Sequence, residues 1–244
     1  MDVPRVNARR ELRPAALRAL DREIVDCRAC PRLVEWREQV AREKRASFRD
    51  DDYWGRPITG FGDPRARVLI AGLAPAAHGA NRTGRVFTGD RSGDFLFASL
   101  FRTGFANQPT ATSADDGLRL HDAYISAAVR CAPPANKPTP AERDRCRPFL
   151  ERELALLDSV RVVVVLGGFA YEAIGRVLAA AGAPLPAPRP KFAHGMEVLT
   201  ARAIVLGTYH PSQQNTFTGR LTPPMLDAVF VRARELAGAV PSRP

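Results

Sequence analysis

Lysine is almost absent from this chain. Of 36 basic residues in 244, only Lys44, Lys137 and Lys191 are lysine; the rest are arginine. An arginine skew alongside 21 prolines fits a GC-rich genome, but genome composition does not account for a formal net charge of +10. Excess positive charge favours a polyanionic partner, because clustered guanidinium groups bind phosphates by displacing counterions. Long apolar runs are missing too. The longest clear one, Val162–Gly168, falls far short of the roughly 18 residues that cross a bilayer, which argues against a membrane protein. The N-terminal MDVPRVNARRELR has no apolar signal core, so a cytoplasmic location is expected. No G-x-x-x-x-G-K-[ST] is present, which argues against a nucleotide P-loop. No serine stands in G-x-S-x-G context, which removes the nucleophile elbow of the hydrolases.

What the chain does contain is an alternation of short β-rich runs with helical patterns. Strands are expected at Val68–Gly72, Tyr124–Val129, Arg161–Gly167 and Ala203–Gly207. Leu12, Ala16, Leu20 and Ile24 recur at helical spacing over Leu12–Asp26. Further helices are expected at Gly93–Arg102, from Thr139 to about Leu157, at Phe169–Ala181 and at Pro224–Leu236. Thr139-Pro140-Ala141-Glu142 fits a capping box with proline at the first helical position. Glu38–Pro57 is strongly charged and reads as an exposed helix or loop. This alternation predicts an α/β fold with a parallel sheet covered on both faces, in one domain spanning residues 1–244.

The four cysteines form a pattern: Cys27-x2-Cys30, then Cys131 and Cys146. Disulfides are unusual in a cytosolic chain. The close pair offers two thiolates from one turn, as metal and cluster sites do. Zinc sites often use two such knuckles, whereas the wide second pair suits the larger [4Fe–4S] cube at least as well. Spacing alone leaves cluster, zinc and unligated thiols open.

Two polar loops follow apolar strands and carry the remaining chemistry. The first, GLAPAAHGANRTGRVFTGD over Gly72–Asp90, offers Ala74, His78, Asn81, Arg82, Arg85, Phe87 and Asp90. The second is His210-Pro-Ser-Gln-Gln-Asn215. Loops at the carboxyl ends of parallel strands are where open α/β sheets build their sites. Phe87 could stack on a planar ligand or simply plug the core. His210 could stabilise an oxygen on which charge develops, or be a structural histidine. His121 and His194 have no motif context.

Together the two loops and the cysteine pattern resemble the uracil-DNA glycosylase superfamily, most closely its iron–sulfur type-5 branch. The resemblance covers nearly the whole chain from Cys27 onward. It implies a three-layer α/β/α sandwich around a four-stranded parallel sheet, and a [4Fe–4S] cluster on Cys27, Cys30, Cys131 and Cys146. The implied activity is hydrolysis of the glycosidic bond of uracil, and of other deaminated or damaged bases, in single- and double-stranded DNA. Such an enzyme draws the base from the stack into a fitted pocket. By the resemblance, Phe87 is the stacking platform and His210 faces uracil O2 as charge accumulates there. Gln213, Gln214 and Asn215 enter the DNA groove, and Arg220 contacts phosphate or groove. The protein is expected to act as a monomer associated with the nucleoid.

Two departures stand out. Many superfamily members carry Asp or Asn at the position of Ala74, where it orients the attacking water, and Ala74 cannot do so. Asn81 is the favoured substitute, then Asp90 as cation stabiliser or proton acceptor, with water held by the backbone as the third alternative. Related branches also present an uracil-reading Asn on the second strand, where Ser126 is the only polar candidate here. His78 is a further base-binding candidate, with bracing of the loop as its other reading. The Arg-rich Arg130–Arg147 segment is expected to grip the DNA backbone. Ala74 also keeps open a non-catalytic iron–sulfur sensor that binds damaged DNA, and the cysteines keep open a zinc-dependent nucleotide hydrolase.

Overall fold

Residues 3–238 are described by a computed structural model. Six strands form its sheet: β1 (Phe61–Gly62), β2 (Val68–Gly72), β3 (Ala123–Ala127), β4 (Val162–Leu166), β5 (Glu197–Leu199) and β6 (Ile204–Thr208). Their order is β1-β3-β2-β4-β6-β5. The inner four are parallel, and the two outer strands pair antiparallel. The four inner strands are those expected, within a residue or two at each end. The two edge strands were not foreseen, for a physical reason. β1 has only two residues, and β5 alternates exposed, buried, exposed, so neither carries an apolar run.

Register explains why both faces are covered. Ile70 pairs with Ile125 and Val164, and Val164 with Leu206, making one apolar row across the sheet. The adjacent row of Tyr124, Leu69, Val163 and Val205 points to the opposite face, since side chains alternate along a strand. Helix α1 is Val3–Val25 and α2 is Pro31–Glu43, with the short α3 at Ala80–Thr83 and α4 at Arg91–Arg102. They are followed by α5 (Pro140–Leu156), α6 (Gly168–Ala180), α7 (Gln213–Phe217) and α8 (Pro223–Gly238). Leu96, Phe97 and Leu100 of α4 pack with Leu226 and Phe230 of α8 over the Ile70 row. Leu17, Leu150, Leu154, Ile174 and Val177 of α1, α5 and α6 pack over the Leu69 row.

Local signals agree with these helices. Thr139 Oγ1 accepts from the Glu142 amide, and the Glu142 carboxylate accepts from the Thr139 amide, as the capping box requires. Helix α2 is the main surprise, beginning directly after Cys30 at Pro31 and ending at Glu43. Its buried stripe consists of Leu33, Val34, Val40 and Arg37. With an arginine filling one of four inward positions, the apolar period is hidden from a reading of residue types.

A buried polar layer lies between the sheet and α5. Arg130 Nη2 donates to Glu153 Oε2 at 2.6 Å, and both side chains are almost fully enclosed. The Ser126 hydroxyl donates to the same carboxylate, and the Tyr124 hydroxyl lies 3.4 Å from its other oxygen. Two expectations are corrected here. Ser126 faces α5 and is bound to Glu153, so it does not read a base. Arg130 is locked in an interior ion pair and cannot reach DNA. Further along the same segment, Arg143 pairs with Asp144 and Glu172, Arg145 donates to the Ala29 carbonyl, and Arg147 pairs with Glu151. Each arginine of 130–147 thus has a partner within the protein, and Arg130 and Arg143 are buried.

Glu153→Ala should therefore destabilise the fold by about 3–5 kcal/mol, because it leaves the Arg130 charge buried without a partner. Ser126→Ala should cost less, about 1.5–2 kcal/mol, the low end for one hydrogen bond to a charged group, because Arg130 still pairs the carboxylate. Urea unfolding of both variants checks the ratio; equal losses would remove Arg130 as the cause.

Candidate active site and cysteine cavity

A cleft of about 360 Å³ opens where the inner strands end. Leu73 to Ala76 continue from β2, Leu166 to Gly168 from β4, and His210 and Ser212 from β6. Phe87 and Asp90 close it from the first loop, and Ser92, Asn136 and Phe169 complete the lining. This size is ordinary for a site holding a small planar molecule.

Phe87 and His210 face one another across the cleft, with ring centroids 5.9 Å apart and planes tilted by 35°. Phe87 has a φ of 52°, a left-handed conformation that is strained for a bulky residue. Its ring lies so close to the end of β2 that a Cβ on Gly72 would come within 2.8 Å of it. The glycine is what lets the aromatic ring cover the strand end. His210 is oriented through its own backbone, since Asn215 Nδ2 donates to the His210 carbonyl at 2.8 Å. Burial pushes the His210 imidazole down to a pKa of about 4, so at neutral pH the ring is uncharged and keeps one N–H to donate.

Asp90 is the carboxylate of the cleft. Its Oδ1 accepts from the Gly93 amide at 2.9 Å and caps α4. Its other oxygen fits only because residue 79 is glycine, as a Cβ there would stand 2.0 Å from Oδ2. Burial raises the Asp90 pKa above the ordinary carboxylate value, with the Gly93 and Ser92 amides pulling the other way. Ala74 lines the cleft as a small apolar wall.

Asn81 is not brought to the cleft, which corrects its expected role of holding the attacking water. It is fully buried, and its Nδ2 donates to the Arg37 carbonyl of α2. The Asn81 carbonyl accepts from the Gly55 amide, and the neighbouring Arg82 carbonyl accepts from Trp54. Asn81 therefore fastens the first loop to α2 and to the 53–55 turn. His78 is also outside the base cleft. Its Nδ1 lies 3.0 Å from the Tyr53 hydroxyl, in an adjoining groove that shares Ala76, Asp90 and Asn136 with the cleft. Burial, then Arg45 and Arg82, lower its pKa.

Asn215 braces the His210 loop through its hydrogen bond to the His210 carbonyl. Gln213 lines the adjoining groove, and Gln214 and Arg220 are exposed. The Arg220 guanidinium lies 4.4 Å over the Tyr209 ring. Sequence reasoning missed Asn136, Ser92 and Phe169. Asn136 sits in a proline-rich stretch with a φ of 55°, and a polar residue tolerant of that conformation was the only available signal. Phe169 looks like any apolar residue of a helix.

The four cysteines converge. Cys27, Cys30, Cys131 and Cys146 line one small cavity whose remaining walls include Leu33, Val34, Val129 and Phe149. None is in a disulfide. Burial pushes the Cys131 thiol up to about 11 and the Cys146 thiol up to about 12. Arginines surround them: Arg37 Nη1 donates to Cys131 Sγ at 2.9 Å, Arg130 acts on Cys146, and Arg145 on Cys30. Among the described residues, no group of three or more His, Cys, Asp or Glu has a geometry that would hold a metal ion.

A family model described as "Uracil DNA glycosylase superfamily" matches residues 59–234. The chain belongs to this superfamily. Within it, the chain is 58% identical over 214 residues to the type-5 uracil-DNA glycosylase of Mycobacterium tuberculosis, covering 87% of this chain and 78% of the relative. Similarity to the type-5 enzyme of Thermus thermophilus is 51% over 225 residues, covering 90% and 100%. The type-4 uracil-DNA glycosylase of Archaeoglobus fulgidus is 28% identical over 156 residues, covering 64% and 70%. The superfamily match runs from before β1 into α8, and so includes both loops of the cleft.

In a proton-detected NMR titration, the His210 ring should stay neutral until the pH falls to about 4. Its ordinary value is 6.5, so the unfolded chain takes up this proton first as pH falls. Folding stability should then decrease between pH 6.5 and about 4 on this group's account, and level off below. A ring that titrates near 6.5 would contradict the burial assigned to it.

Proposed function

We propose that this protein is a monofunctional uracil-DNA glycosylase of base-excision repair. It hydrolyses the bond between base and deoxyribose, releases uracil and other deaminated or damaged bases, and leaves an abasic site. The observation that carries this reading is the cleft in which an aromatic face, Phe87, opposes a neutral histidine, His210, beside a half-buried carboxylate, Asp90. The type-5 glycosylase names of its relatives point the same way.

The residues divide the work. A flipped base lies on Phe87, which is already held against Gly72 before any base arrives. As the glycosidic bond lengthens, negative charge spreads to the base carbonyl facing His210. A neutral N–H placed there strengthens its hydrogen bond as that charge grows, which is differential stabilisation of the transition state. Positive charge develops on the sugar, and Asp90 is the anionic group in the cleft able to stabilise it or to hold water. One water is consumed: its hydroxyl adds to the sugar C1′ and its proton ends on the departing base. Asp90 thus supplies the polar group that Ala74 lacks, which favours catalysis over a non-cutting sensor.

The reading extends to a [4Fe–4S] cluster on Cys27, Cys30, Cys131 and Cys146. What supports it is four free thiols from three segments of chain on one apolar cavity, ringed by Arg37, Arg130 and Arg145. Four thiolates carry four negative charges, and nearby guanidinium groups offset them. Spread around a cavity, the thiols suit the cube of a cluster better than one zinc ion. Bound there, the cluster would act as a brace joining the α1–α2 connection to the Cys131 loop and to α5. No electron transfer is needed for hydrolysis. No helix among the described residues is long and apolar enough to cross a membrane. We take the enzyme to act as a monomer at the nucleoid, on single- and double-stranded DNA. Gln213, Gln214, Arg220 and the exposed Phe217 stand at the rim as its DNA contacts.

Uracil-containing DNA incubated with the protein should break on alkali treatment; no breakage above background would end the enzyme reading. His210→Ala should slow base release in single turnover about 10²–10³-fold, as loss of an oxyanion donor does elsewhere, with a much smaller effect on DNA affinity. Asp90→Asn preserves the helix cap, since Asn caps as well as Asp, so a drop in its rate reports the charge alone. Iron and sulfide analysis of the purified protein tests the cluster, and stoichiometric zinc would replace it with the alternative.

A further inference from the structure

Many arginines in this protein are committed to ion pairs. Three that lie close together in the chain are not: Arg42, Arg45 and Arg56 have no hydrogen bond or ion pair from their guanidinium groups among the described residues. Each lines one of two grooves, of which the first adjoins the base cleft. The first groove, about 400 Å³, holds Arg45, His78, Arg91 and Gln213 and shares Asp90 with the cleft. The second, about 460 Å³, holds Arg42, Arg56, Tyr53 and Trp54. The contact between Tyr53 and His78 joins the two.

Trp54 is an unusual wall for a groove. The residue is 40% exposed although large aromatics are usually covered. It is held in place from three sides. Its Nε1 donates to the Pro57 carbonyl, its amide donates to the Arg82 carbonyl, and Gly84 allows close approach to its ring. Acidic groups bordering the second groove are Asp26 and Glu38, and Glu38 is neutralised by a two-bond contact with Arg28. In the first groove, Asp94 faces Arg91.

A fixed aromatic face flanked by uncommitted cations is the equipment that binds single-stranded nucleic acid, with bases on the ring and phosphates on the guanidiniums. We infer that the strand leaving the base cleft passes Arg45 and His78, crosses Tyr53, and enters the second groove, where a base stacks on Trp54 and its phosphates meet Arg42 and Arg56. The inference rests on the cleft being the site of the flipped base. It adds a second, non-catalytic station for single-stranded DNA on the far side of His78.

The test measures anisotropy of labelled single strands that carry a non-hydrolysable abasic analogue, titrated with the full-length protein over a range of salt. Trp54→Ala should bind about tenfold more weakly, and Trp54→Phe should recover most of that loss. The Arg42→Ala/Arg56→Ala double variant should lower the slope of log affinity against log salt by roughly 0.7 per phosphate contact removed. Arg161→Ala serves as the control for charge, since it removes an exposed cation at the amino end of β4, opposite the cleft. Affinity and slope equal to wild type in all groove variants, or losses no larger than that of Arg161→Ala, would overturn the inference. Because this strand is never cut, the result stands whether or not the protein releases uracil. Failure of the alkali assay with these binding losses intact would sink only the enzymatic reading.

Discussion

One buried guanidinium connects the parts of this protein that chemistry requires to be near each other. Arg37 is 1% exposed, and its nitrogens reach the Cys27 carbonyl and the Cys131 thiol. Its own carbonyl receives the Asn81 side chain from the first loop. Helix α2, the cysteine cavity and the loop that carries Phe87 and Asp90 are therefore tied at one residue. A charge this deep is tolerable only where anions or carbonyls surround it, and the thiols and the Cys27 carbonyl provide that setting. Removing the acceptors would leave a buried cation, so the cysteine cavity and the placement of the first loop share one source of stability.

How much of this was legible in the sequence depended on what each residue packs against. The inner strands are runs of β-branched and small apolar residues buried on both faces, and Val162–Leu166 could be read directly. The capping box of α5 was equally accessible, because it is set by residue type at fixed spacing, whereas the four cysteines were grouped by the family resemblance and not by their spacing. Phe87, His210, Ala74 and Asp90 all line the cleft because strand-end loops have little freedom to be elsewhere. Asn81 and Ser126 were misplaced for a common reason. Each is polar, but the chain turns its side chain inward, to Arg37 in one case and to Glu153 in the other. A residue type cannot disclose which side of a loop or strand it faces.

Charge misled in a related way. A net charge of +10 suggested that arginine-rich stretches should touch DNA, yet the arginines of 130–147 are used in the interior and at helix surfaces. Binding potential is carried by the cations that remain after internal pairing, and by where on the surface they stand. Electrostatic attraction to a polyanion depends on this remainder, because a paired guanidinium contributes little field outside the protein.

The depressed basicity of His210 has a consequence for timing. A cationic ring would attract every phosphate and every electronegative base edge, whether or not a bond was breaking. An uncharged ring interacts weakly with an intact nucleotide and strongly only with a base that has begun to leave. In the proposed mechanism this favours release of an undamaged base from the cleft, while the strand itself is held by the protein's other contacts.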